Sequence, residues 1–225
     1  CLMITKPAAA RISKQYLEDA FERNPDGAGI AYATGSRVKI IRPMWTFKEF
    51  YNQYLRHDHV PMLIHFRLAT HGSKTDLNTH PHPIAKHLAM AHNGIISSVK
   101  PDGDESDTRA FIRTHVDPVV AKHGPASAVE AAVIAEYEKV IGASKLSFLT
   151  SSGLFHYANK DLGHDHAGCW WSNNSYKEDR VRYTVTNYGY QYSNAGTVGY
   201  TKGNSTYIGS EDWWSCAPKQ CVACG

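Results

Sequence analysis

Residues 13 to 23, SKQYLEDAFER, carry Tyr16, Leu17, Ala20 and Phe21 at the spacing of one helix face, and NPDG at 24 to 27 supplies a turn to end it. A strand is predicted at AGIAY, and Gly35-Ser36 separates it from RVKIIRP as the turn of a hairpin. Thr46 and Glu49 form a capping box ahead of Phe47, Phe50, Tyr51 and Tyr54, which predicts a second helix over about 47 to 57. VPMLIHFRLAT at 60 to 70 is a nearly unbroken apolar run, the pattern of a strand covered on both faces, and HLAMAHNGII at 87 to 96 repeats it. Ser106 is placed to cap a helix running to about 121, and Ser127 with Glu130 forms a capping box for another ending near 141. KLSFLTSSGLFHYAN reads as a hairpin turning around 151 to 153.

Beyond about 177 the pattern changes. YTVTNYGYQYSNAGTVGYTKGNSTYIGS is rich in Tyr, Gly, Asn, Ser and Thr and poor in aliphatics, so it cannot build a core of its own, and the tyrosines of 183 to 192 hint at one or two edge strands. The expected organisation is a main domain over 1–177 and a C-terminal extension over 178–225.

Composition narrows the function classes. With 42% hydrophobic and 20% charged residues the chain is that of an ordinary globular protein, and a formal net charge of +3, evenly spread, gives no basic stripe for nucleic acid or an anionic membrane. No run approaches the ~20 apolar residues of a membrane span, and no leader pattern opens the chain. A cytoplasmic setting is expected. Five cysteines, four of them in the last quarter, do not form an extracellular disulfide framework, so reduced thiols are expected.

The chemistry-bearing residues begin with Cys1. An N-terminal cysteine combines a nucleophilic thiol with an α-amino group whose ordinary pKa of about 7.7–8.0 makes it a base held beside that thiol. The alternative is that Cys1 is only where a processed chain begins. HNG at 92 to 94, closing an apolar strand, offers the Asn93 amide and the Gly94 backbone N–H as oxyanion donors, or else a simple Asn-Gly turn.

In order along the chain, Cys1, DGAGIAY at 26 to 32, HFRLATHG at 65 to 72, NTHPH at 78 to 82, HNG, and SDT at 106 to 108 resemble the class II glutamine amidotransferase domain of the N-terminal nucleophile hydrolases. NTHPH looks most like the glutaminase domain of glucosamine-6-phosphate synthase. The resemblance covers roughly residues 1 to 177 and implies an α+β, four-layer αββα sandwich with Cys1 at the start of a central strand. It implies that Cys1, Asn93 and Gly94 are catalytic and that Arg67, Thr70, His71 and Asp107 bind substrate. Arg67 would hold the α-carboxylate of glutamine and Asp107 its α-ammonium, with ammonia released through a Cys1 thioester. No cofactor is implied. The implied partners are glutamine or a γ-glutamyl amide and a separate ammonia-acceptor enzyme, with no membrane or nucleic acid.

The match has departures. The opening CLMITKP differs from the family's common CGI, Leu68 stands where the sugar-phosphate branch has tryptophan, and no synthase or ligase domain accompanies the motifs. Such a stand-alone chain resembles phage and bacterial members. A non-catalytic protein that binds a partner through its Cys/Trp tail is the alternative of a different class.

Two metal readings arise. His65, His71, His80 and His82 crowd one segment, but no carboxylate or cysteine joins them at a recognised metal spacing, and a substrate clamp is preferred, with His71 lining the pocket and His80 and His82 on a loop covering it. In the tail, Cys216, Cys221 and Cys224 follow C-x4-C-x2-C, and Cys169, His164 or His166 could complete a structural zinc site, although a second C-x2-C pair is missing. Trp213 and Trp214 ahead of it would suit a partner anchor or core packing.

Overall fold

A computed structural model describes residues 1 to 68 and 76 to 177, together with the backbone of four short strands between 182 and 209. The chain divides into two units, Cys1–Tyr176 and Lys177–Gly225.

The first unit opens with β1 (Leu2–Lys6), α1 (Lys14–Arg23), β2 (Ala28–Ala33), β3 (Val38–Met44), α2 (Phe47–His57) and β4 (Met62–Phe66). It continues through β5 (His82–Ala85), β6 (Leu88–Asn93), α3 (Asp107–Phe111), α4 (Asp117–His123) and α5 (Ala131–Ile141). β7 (Lys145–Thr150), β8 (Phe155–Ala158), β9 (His164–His166) and β10 (Cys169–Trp171) complete it. One six-stranded sheet has the order β3-β2-β4-β1-β10-β9 and a second, four-stranded, the order β5-β6-β7-β8. Within both, the pairs are antiparallel.

The period-2 alternation of the strands sorts the core into three layers. Leu2, Ile4, Ile30, Ile64 and Phe66 face outward from the larger sheet and pack with Leu17 and Phe21 of α1 and Phe50 and Tyr54 of α2. Met90, Leu146 and Phe148 face outward from the smaller sheet against Ala110, Phe111, Tyr137 and Ile141. Between the sheets lie Met3, Ala31, Ala33, Leu63, Ala89, Ala91, Leu149 and Trp170. The result is a four-layer αββα sandwich, as the resemblance implies, whose interior seam mixes four alanines with four larger side chains.

Local signals explain the elements. Thr46 Oγ1 accepts from the Glu49 N–H at 3.2 Å while Glu49 Oε2 accepts from the Thr46 N–H at 3.0 Å, so the expected capping box is formed. Ser106 Oγ likewise accepts from the Arg109 N–H at 3.3 Å. The helix that follows is not continuous, however. Ile112–Val116 is a π-type stretch between α3 and α4, because Pro118 has no N–H to give back to the preceding turn. The capping box expected at Ser127 and Glu130 does not form. Pro125–Val129 is a 3-10 turn in which the Ser127 hydroxyl donates to Gly124 O at 2.5 Å, and α5 begins only at Ala131.

In the second unit β11 (Arg182–Thr186) pairs with β12 (Gly189–Ser193) over the tyrosine stretch where one or two strands were expected, and β13 (Val198–Lys202) pairs with β14 (Ser205–Gly209) beyond it.

Gly29 of β2 has a demanding position. A Cβ built there would lie 2.0 Å from His80 O, a backbone atom that cannot swing aside. Gly29→Ala should therefore lower stability by about 1–3 kcal/mol, in the manner of an overpacked core, read as a fall in the urea midpoint. An unchanged midpoint would show that the His80 segment yields.

Candidate active site

Leu2 pairs with Phe66 and Met3 with His65 across β1 and β4. Continued by one step, this register sets Cys1 beside Arg67, on the same inward face as His65, while Asn93 ends β6 of the opposite sheet. Cys1, Arg67, Leu68, Asn78, His80, His92, Gly94, Ser106, Asp107 and Thr108 line one cleft of about 370 Å³, open mouth included.

The thiol of Cys1 sits against the backbone of Leu68, with the Leu68 N–H 3.2 Å from Sγ and Leu68 O also at 3.2 Å. Asn93 Nδ2 donates to the Cys1 carbonyl at 2.7 Å, tying the two sheets together across the seam. Gly94 adopts φ 135°, and a Cβ there would meet Ser144 Oγ at 2.2 Å, so the turn after Asn93 is restricted to glycine twice over. The Asp107 carboxylate starts α3. Its Oδ2 accepts from the Ile96 N–H and its Oδ1 from the Thr108 N–H, both at 2.8 Å. Thr108 Oγ1 lies 2.8 Å from His92 Nδ1, so the HNG and SDT segments are bonded directly. Asn78 Oδ1 accepts from the Ser106 N–H at 3.1 Å, which fixes the start of α3 to the NTHPH segment.

Electrostatics at the site follow from burial. With Cys1 as first residue, burial lowers the pKa of its α-amino group below the ordinary 8.0, and the negative charge of Asp26 opposes that shift. A lowered value favours the neutral amine, the form that can take a proton. Arg67 is 4% exposed, and burial lowers its pKa while Asp26 raises it. A guanidinium stays charged nonetheless.

His65, His80, His82 and His92 are all buried. His80 Nδ1 lies 3.0 Å from His65 Nε2, whose ring nitrogen is also 3.1 Å from His92 O, and His82 Nδ1 lies 3.0 Å from a guanidinium nitrogen of Arg42. Burial pushes His65, His80 and His82 well below the ordinary histidine value. His92 is pushed by burial to about 4, with Asp107 opposing. These rings are neutral interior groups. The expectation that His80 and His82 lie on a covering loop is thus corrected: His80 packs against β2, where Gly29 leaves room for its carbonyl, and His82 opens β5 beside Arg42 of β3.

Among the residues expected at the site, Cys1, Arg67, Asn93, Gly94 and Asp107 converge on one end of the sandwich, and all but Asn93 line the cleft. Thr70 and His71 lie outside the described residues, as do Cys216, Cys221, Cys224, Trp213 and Trp214. Cys169 lies in β10, 1% exposed, with its thiol pushed up to about 11 by burial. His164 Nε2 lies 3.0 Å from the Tyr176 hydroxyl. Among the described residues no group of three metal-ligating side chains is assembled, and no helix is long and apolar enough to cross a membrane.

Two neighbours of Cys1 were not anticipated from the sequence. Asp26, read as part of a turn, places its charge near both the α-amino group and Arg67. Asn173, in the SNNS run after β10, donates through Nδ2 to the Cys1 carbonyl at 2.8 Å. Only the polar character of SNNS directly after a buried strand end could have drawn attention to it.

No family model matches the chain. The chain is 34% identical over 97 residues to glutamine–fructose-6-phosphate aminotransferase (isomerizing) of Fusobacterium nucleatum, a match covering 42% of this chain and 16% of that protein. It is 38% identical over 95 residues to the enzyme of the same name from Mycolicibacterium paratuberculosis, covering 37% of this chain and 15% of that one. With the Bradyrhizobium diazoefficiens enzyme it shares 30% over 153 residues, covering 62% and 23%. The matches thus span less than a quarter of these relatives' length. Among solved structures, a glutamine PRPP amidotransferase from B. subtilis superposes on 76% of this chain and 41% of its own, with TM-score 0.47 and 16% identity, a likeness too remote to carry weight. The four-layer sandwich with a cysteine just ahead of a central strand is the architecture that the resemblance to the N-terminal nucleophile hydrolases implied. Over the matched residues the chain is similar to these glutamine-dependent aminotransferases, proteins of the class II glutamine amidotransferase kind.

The buried histidines have a consequence for acid stability. Each pKa is lower in the folded than in the unfolded chain, where it is about 6.5, so the unfolded state binds more protons below that value. Their contribution is therefore complete above pH 6.5 and is lost as pH falls below it. The urea midpoint should decline between pH 6.5 and 5, and a flat midpoint across that interval would contradict neutral burial of these rings.

Proposed function

We propose that this protein is a cysteine amidohydrolase that releases ammonia from the side-chain amide of glutamine. The observation that carries the reading is the meeting, at one cleft, of the Cys1 thiol and a half-buried α-amine with Arg67, Asp107 and the Asn93-Gly94 turn, contributed by opposite sheets and by α3.

In this mechanism Arg67 pairs with the α-carboxylate of glutamine and Asp107 with its α-ammonium, its Oδ2 keeping a lone pair beyond the bond from the Ile96 N–H. The carboxamide then points at Cys1. The thiol proton passes to the α-amine as Sγ bonds to the amide carbon, and the oxyanion is held by Asn93 Nδ2, through its second hydrogen, and by the Gly94 N–H. The α-ammonium returns a proton to the leaving nitrogen, ammonia departs, and water hydrolyses the thioester to glutamate. Thr70 and His71 would complete the amino-acid pocket. The ammonia would pass to an acceptor enzyme, and a zinc held by Cys216, Cys221 and Cys224 would serve the tail structurally.

One observation favours a second substrate. Leu68, Leu77 and Ile95, each at or beside a cleft-lining residue, are 42%, 60% and 53% exposed. Exposed apolar residues at or next in sequence to the cleft lining suit a γ-glutamyl amide with a larger, apolar leaving group.

Treatment with a glutamine-shaped diazoketone should add one label to Cys1, located by intact mass and peptide mapping and competed away by glutamine. Arg67→Ala should weaken that competition by about 10- to 100-fold, the loss expected of a charge-assisted pair. Labelling elsewhere, or labelling that survives in Cys1→Ala, would overturn the mechanism. The intact mass also reports whether Cys1 carries a free amine.

Because the α-amine must be neutral to accept the thiol proton, kcat/KM should fall as pH drops through a value below the ordinary 8.0 of such a group. Asp26 raises that value, so Asp26→Asn should move the acid limb to lower pH in a pH–rate profile. A limb moving upward would place the charge of Asp26 elsewhere.

A further inference from the structure

Asn93 can hold an oxyanion only if its amide is the right way round. Its Nδ2 must face Cys1 and its Oδ1 must face away, and a side-chain amide alone has little preference between the two orientations. The hydrogen bonds around Asn173 remove that freedom. The Ser175 N–H, a backbone donor with no ambiguity, donates to Asn173 Oδ1 at 2.9 Å. Asn173 Nδ2 is thereby turned toward Cys1, where it donates to the carbonyl at 2.8 Å and lies 3.4 Å from Asn93 Oδ1. With an N–H facing its oxygen, Asn93 is left with Nδ2 on the Cys1 carbonyl at 2.7 Å, and one further hydrogen. A flip of Asn93 would set its oxygen against the Cys1 carbonyl and its NH2 against that of Asn173, two repulsive contacts in place of two bonds.

The base of this chain is itself anchored. Ser172 Oγ accepts from the Met3 N–H and the Ser172 N–H donates to Met3 O, each at 2.9 Å, which clamps the segment to β1. Asn24 at the end of α1 donates through Nδ2 to Ala20 O at 2.8 Å and to Ser175 Oγ at 3.2 Å.

We propose that Asn173 is a positioning residue of the reaction: it sets the orientation of the Asn93 amide and shares with it the carbonyl of the nucleophile. Asn173 touches no reacting atom. Its effect passes through Asn93 and appears in the step that builds negative charge on oxygen. The inference rests on the amidohydrolase reading.

The test compares wild type, Asn173→Ala and the near-isosteric Asn173→Asp, which keeps an acceptor for Ser175 but cannot donate to Asn93 Oδ1 or the Cys1 carbonyl. Turnover of glutamine and of a γ-glutamyl anilide gives kcat and KM, and the rate of Cys1 alkylation by iodoacetamide reports the thiol without any oxyanion. Both variants should lose about 10- to 100-fold in kcat, approaching the loss of an oxyanion donor itself, with KM within about threefold and alkylation within about twofold of wild type. A kcat that is unchanged in either variant overturns the inference. So does a kcat that falls in step with alkylation, since Asn173 would then be supporting Cys1, and so does failure of both variants to fold. Wild-type protein inactive on both substrates overturns the amidohydrolase reading and this inference with it, an outcome told apart because it needs no variant.

Discussion

Leu2 faces Phe66 across the larger sheet, and that pairing decides where the first residue of the chain stands. A strand slipped by one residue presents every side chain to the opposite face, so a shift here would send Cys1 toward the helices and Leu2 into the cleft. The register is held because Leu2, Ile4, Ile64 and Phe66 are all fully buried on the helix side and Met3 and Leu63 on the other. Ordinary apolar packing along β1 and β4 thus aims the thiol, and the polar contacts at Leu68, Asn93 and Asn173 refine a direction already set.

Much of this was legible in the residue pattern because it depends on local chemistry. The capping residues Thr46 and Ser106, the long apolar runs of β4 and β6, and the hairpins at 35 and 151 announce themselves within a few positions. The motifs that point to Cys1, Arg67, Asn93, Gly94 and Asp107 lie in order and could be read together. What stayed hidden depends on contacts between distant segments. Asn173 meets Cys1 from 172 residues away, and its neighbour β10 is only three residues long, too short to show a period. The histidines misled in their location for the same reason. A run of His and Pro looks like a surface loop, and only the empty space above Gly29 in another strand makes an interior position available to it.

The interior of the site is unusually polar for a sandwich core. His65, His80, His82, His92, Arg67 and Asn93 are all buried, and groups of that kind are costly to desolvate unless they bond to one another. Here the cost is offset in part by a network that joins the His80 turn to β4, and β4 through β6 to α3, with the imidazoles neutral. Such a network specifies one arrangement strongly, since each ring must present the correct nitrogen to its neighbour. It also means that the cleft's back wall is built of groups with little room to rearrange.

The seam between the sheets carries Ala31, Ala33, Ala89 and Ala91 beside Met3, Leu63, Leu149 and Trp170, so small and large side chains together set its width. Cys1 hangs from one sheet and Asn93 from the other, 2.7 Å apart at their nearest polar atoms. The spacing between nucleophile and amide is therefore a thickness, that of the seam between the two sheets, and it can be tuned from far away. A single added methylene along the seam would act like a shim under one leaf of a hinge, opening the two halves of the site without touching either.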